Sequence, residues 1–64
     1  MANQKINEEI IKNFEAEIDV ITKAAKATQK LPKTSYTDCI VALYESEIRN
    51  IQRNIRVIKL MDIQ

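Results

Sequence analysis

The sequence contains no glycine and a single proline, so the chain has one place to turn sharply and unbroken helix-compatible sequence on either side of it. That place is Leu31-Pro32-Lys33-Thr34-Ser35. One turn implies two elements. Before it, Ile6, Ile10, Phe14, Ile18, Ile21 and Ala25 step by four, four, four, three and four, with Ile11 and Thr28 beside them. This is a helical period, and it predicts a helix over about residues 3–30. After the turn, Val41, Tyr44, Ile48, Ile51, Ile55 and Ile58 alternate steps of three and four, with Ile40 alongside. That is a heptad seam, and it predicts a second helix over about residues 36–61. At 1.5 Å per residue each helix is roughly 40 Å long, more than a compact monomer of this size needs.

Local chemistry marks the start of the second helix. Ser35 and Asp38 stand three apart ahead of the apolar run, so Ser35 is expected to cap the free amides while Asp38 sits in the electropositive first turn. The charges follow an acidic-then-basic order twice. Glu8, Glu9, Glu15, Glu17 and Asp19 precede Lys23, Lys26 and Lys30, and Asp38, Glu45 and Glu47 precede Arg49, Arg53, Arg56 and Lys59. In an antiparallel hairpin each acidic half lies beside a basic half, and each helix complements its own dipole.

The expected class is therefore all-α: one domain, residues 1–64, folded as a two-helix antiparallel hairpin with its turn at residues 31–35. A chain of 64 residues buries only about 60% of its unfolded surface. Stapling is excluded, because the lone Cys39 has no disulfide partner within the chain and histidine is absent, which leaves no zinc site either. Such a hairpin completes its core by homo-oligomerisation, as a four-helix-bundle-like dimer or a higher assembly. The flank carrying Tyr36, Cys39, Leu43, Val57 and Met61, interrupted by Glu47, Asn50 and Asn54, either serves as the oligomer interface at its two ends or widens a single core.

Composition bounds the function. With 45% apolar and 30% charged residues, the chain is too hydrophobic to be disordered and too charged to span a membrane. It shows no basic-then-apolar leader, so it is expected in the cytoplasm, away from membranes. Without histidine, acid and base candidates are reduced to Asp, Glu and Lys on solvated helix faces, and no Gly-rich phosphate loop exists. The expectation is a non-enzymatic protein without cofactor or metal. A net charge of +1 gives no general pull toward nucleic acid.

Three constellations carry a functional reading beside a structural one. Lys30, Lys33, Thr34 and Ser35 at the entrance to the second helix suit a phosphate or other small anion, with Tyr36 as a stacking face. Alternatively Ser35 caps, the lysines solvate the turn and Tyr36 packs. Arg49, Arg53 and Arg56 line up at helical spacing, as a Rop-like bundle would need to follow an RNA backbone, or they pair with the acids of the first helix. Leu60 stands opposite the main seam, with Met61 and Ile63 nearby, and so invites a protein partner; terminal fraying is the other account.

The run Pro32-Lys33-Thr34-Ser35-Tyr36-Thr37-Asp38-Cys39-Ile40-Val41-Ala42-Leu43-Tyr44-Glu45-Ser46-Glu47-Ile48 resembles the second helix of the phage anti-CBASS cyclic-oligonucleotide sponge hairpins. Thr37, Cys39, Ile40, Leu43, Glu45, Ser46 and Ile48 stand where that family has its hydroxyl, small, apolar and glutamate positions after a Pro-containing turn. The resemblance implies a phage anti-defence protein that sequesters cyclic di- or trinucleotide signals between its subunits. On that reading Lys30, Lys33, Thr34, Ser35 and Thr37 hold phosphates, and Tyr36 or Tyr44 stacks a base. The alternative function is a helical inhibitor or adaptor that binds a host protein.

Overall fold

A computed structural model describes residues 2–63, with side chains from Lys5 to Met61. The described residues form two helices, α1 (Ala2–Gln29) and α2 (Ser35–Ile63). The boundaries follow the punctuation: α1 stops shortly before Pro32, whose ring and missing N–H end a helix, and α2 starts just after it. Because α2 runs on to Ile63, its last turn holds no base, and the first turn of α1 holds no acid. The expected match of charge to dipole therefore survives only in Asp38 and Lys26, at the two ends that meet the turn.

The helices pack antiparallel into a rod of 50 × 15 × 10 Å. Near the turn Thr28 faces Val41, and farther along Ile18 and Thr22 face Ile55 and Gln52. The α2 seam lies where its heptad pattern puts it. Ile51 and Ile55 are buried, and Ile40, Val41, Tyr44, Ile48 and Ile58 are half-buried.

On α1 the seam differs from the sequence pattern. The residues facing α2 are Asn7, Ile11, Phe14, Ile18, Ile21, Ala25 and Thr28, an alternation of four and three, whereas Ile6 and Ile10 are 56% and 37% exposed. Each step of four overshoots a full turn by about 40°, so the series Ile6, Ile10, Phe14, Ile18 winds around the helix. Two long helices in side-by-side contact need a period near 3.5, and packing selects Ile11 over Ile10 for that reason.

Burial is thin. Among the described residues Ala25, Ile51 and Ile55 alone are buried, and none is completely enclosed. The radius of gyration is 15.0 Å, against about 11 Å for a compact chain of this length. The interhelical contact therefore rests on a few isoleucines. Replacing Ile51 or Ile55 with alanine should cost about 2–5 kcal/mol, enough to melt the hairpin at moderate denaturant in a urea titration followed by far-ultraviolet circular dichroism; an unchanged midpoint would contradict this core.

Candidate functional site at the closed end of the hairpin

The turn is built without a left-handed residue: among the described residues no backbone φ is positive, as expected of a chain without glycine. Instead α1 tightens at its end. The amides of Lys30 and Leu31 donate to the carbonyls of Ala27 and Thr28 at 3.2 and 3.1 Å, three residues back, which satisfies two carbonyls that a helix end leaves over. The Thr28 hydroxyl donates to the Ala24 carbonyl at 2.9 Å.

The cap of α2 is Thr34, not Ser35. The Thr37 amide donates to Thr34 Oγ1 at 3.1 Å, and the Thr34 amide donates to Thr37 Oγ1 at 2.9 Å. Two helix-end donors are thus satisfied reciprocally, in the geometry of a capping box with threonine in the place of the usual Glu or Gln. The Thr37 hydroxyl in turn lies 3.0 Å from the Thr34 carbonyl and 3.5 Å from that of Pro32. Ser35 was the expected cap by its position relative to Asp38. It is instead the first helical residue, and the cap is the reciprocal pair in which each threonine hydroxyl accepts from the other residue's amide.

This lock leaves a half-open cleft of about 240 Å³ between the end of α1 and the start of α2, lined by Thr28, Gln29, Leu31, Lys33, Thr37, Asp38 and Val41. Of the seven residues proposed from sequence to hold a ligand, the cleft brings together Lys33 and Thr37. Lys30, Thr34, Ser35 and Tyr36 are exposed around the turn and do not line it, and Tyr36 is 73% exposed. Tyr44 is half-buried on the interhelical seam, two turns into α2. Asp38 adds a carboxylate to the lining opposite in sign to Lys33. Sequence reasoning placed Asp38 at the helix dipole but missed it as a wall of the cleft; Thr28 and Gln29 were hidden because they come from the far side of the turn.

The arginine stripe is exposed along its length at Arg49, Arg53 and Arg56. The expected pairs with the acids of α1 do not form among the described residues, where the ion pair is Lys23 to Asp19 at 3.1 Å, within α1. At 100° per residue all three arginines stand opposite Ile51, on the side of α2 turned away from α1. The flank of Tyr36, Cys39, Leu43, Val57 and Met61 is likewise exposed, and so is Leu60. The side chain of Ile63 lies outside the described residues. Among the described residues no group of three or more metal-ligating side chains converges, and no helix is long and apolar enough to cross a membrane.

Comparison with protein-family models, with curated proteins and with solved structures finds no match. The site therefore rests on its own geometry, which makes one direct forecast: Thr34→Ala should destabilise the hairpin by about 1 kcal/mol, as loss of a helix cap does, whereas Ser35→Ala should stay within about 0.5 kcal/mol. Chemical denaturation of both variants distinguishes them, and equal effects would reassign the cap.

Proposed function

We propose that this chain is a non-enzymatic binding protein whose working form is a self-assembled bundle of helical hairpins. The observation that carries the proposal is the amount of surface left uncovered. A folded monomer of 7.4 kDa is expected to expose about 4,200 Å², and the hairpin exposes 5290 Å². Among the described residues nine large apolar side chains stay exposed. Assembly with further copies is the simplest way to cover them, since each hairpin already carries the matching flank.

The cargo we propose is a phosphate-bearing small molecule held at the closed end, of the cyclic di- or trinucleotide class that the resemblance implies, which would make this a phage-encoded, sequestering anti-defence protein acting in the host cytoplasm. The Lys33 ammonium on the lining of that cleft supports it. The cleft volume of about 240 Å³ is below the range of roughly 300–1,000 Å³ that encloses drug-sized ligands. A whole nucleotide would therefore need walls from a second hairpin, and its phosphate would have to avoid Asp38 in favour of Lys33.

A second reading is favoured by Leu60, which is 55% exposed and stands opposite the seam, where self-assembly through the other flank does not cover it. It suits a protein partner, and the chain would then be an inhibitor or adaptor.

Native mass spectrometry with a mixture of cyclic di- and trinucleotides separates the two. The proposal expects a multimer that gains whole nucleotide masses, with the gain lost in Lys33→Ala while the multimer persists. A multimer without added mass would overturn the nucleotide cargo and leave the protein partner; a single-chain mass would overturn the assembly itself.

A further inference from the structure

The uncovered flank of α2 has an order that specifies how a second copy fits, and this inference rests on the self-assembly proposed above. Leu43, Glu47, Asn50, Asn54, Val57 and Met61 step by four, three, four, three and four, a second heptad seam beside the one that faces α1. All six are exposed. The seam is apolar at both ends and polar at the centre.

On the α1 side of the same surface Val20 and Glu47 line one shallow groove. By helical spacing Ile6 and Ile10 lie on the same side of α1 as Glu17, another residue of that groove. The area is sufficient: an excess of about 1,100 Å² per chain over the expected monomer surface, about 2,200 Å² for a pair, matches what a permanent homodimer buries.

We infer that two hairpins pair through this seam with their α2 helices antiparallel, Leu43 of one copy opposite Met61 of the other and Asn50 opposite Asn54 at the two-fold axis. The polar centre decides the direction. A parallel pairing would set Glu47 against Glu47 of the second copy in the middle of the interface, where like charges are penalised. The antiparallel register moves those two carboxylates about 15 Å apart along the helix. The asparagines then face each other, and their side-chain amides can each donate and accept; a polar residue at such a position fixes register in helical pairs. The opposed helix dipoles favour the same direction.

Cysteine cross-linking reads the direction directly. In a Cys39→Ser background, the double variant Leu43→Cys/Met61→Cys should form a disulfide-linked dimer under mild oxidation, and each single variant should not. In the antiparallel register equivalent positions are about 27 Å apart along the axis, beyond the Cα separation of roughly 4.4–6.8 Å that a disulfide bridges. Cross-linking of either single variant, or of the unmodified protein through Cys39, would establish a parallel pair and overturn the inference while leaving the assembly standing. Absence of any link in the double variant, with helical content retained by circular dichroism, overturns the pairing as well. Should the double variant fail to fold, the unmodified protein decides: protection of Cys39 from dimeric oxidation in a two-chain species by light scattering supports the antiparallel register, and a one-chain mass overturns both the register and the assembly beneath it.

Discussion

Two helices in contact can each bury one stripe and no more, and everything else in this molecule follows from that limit. The contact here runs along an alternation of three and four residues on both helices, because only a period near 3.5 keeps two rods in register over their length. Ile51 and Ile55 are buried near its middle, where Ile18 faces Ile55, and Ala25 is buried nearer the turn. Toward both ends the seam is only half-covered. A contact this narrow offsets little of the chain entropy lost in ordering two helices of 28 and 29 residues, which is why the uncovered apolar flank matters more to the account than any single cleft.

The turn solves a different problem. With no glycine to take a left-handed conformation, the chain closes α1 with two short backward hydrogen bonds and opens α2 with a reciprocal pair between Thr34 and Thr37. These bonds place Lys33 and Asp38 beside the end of α1 and so shape the small cleft. They also occupy the Thr37 amide and draw both threonine hydroxyls into the cap, so the closed end presents fewer free donors to an anion than a bare helix start would. What remains for a ligand is the Lys33 ammonium, set against a nearby carboxylate.

Much of this was legible in the sequence, and the exceptions have physical reasons. The single proline and the absence of glycine located the turn, and the strict heptad of α2 located its buried face. The α1 pattern was misleading because Ile10 and Ile11 are adjacent and both apolar; only the partner helix, absent from a one-dimensional pattern, decides between them. Ser35 and Thr34 posed the same kind of ambiguity at the cap. Two neighbouring hydroxyl residues are equally good candidates by type, and the choice depends on Thr37, whose own hydroxyl completes the pair. The cleft was half legible. Residues near one another in sequence, Lys33 and Thr37, were found, whereas those contributed by the end of α1 depended on how the turn folds back. The arginine pairs do not form because, at 100° per residue, Arg49, Arg53 and Arg56 lie opposite Ile51 and so point away from the acids of α1.

On the proposed reading, a second copy that covers the free flank stabilises the hairpin, so folding and assembly are one equilibrium. The most direct measurement is the dependence of thermal unfolding on protein concentration. Mass action requires the midpoint to rise as concentration rises when the folded form is an assembly and the unfolded form is a single chain. The midpoint should rise steadily over a hundredfold range of concentration, with helical content lost at high dilution. A midpoint independent of concentration, with full helicity retained at the lowest concentration, would show that the lone hairpin is sufficient and would contradict it.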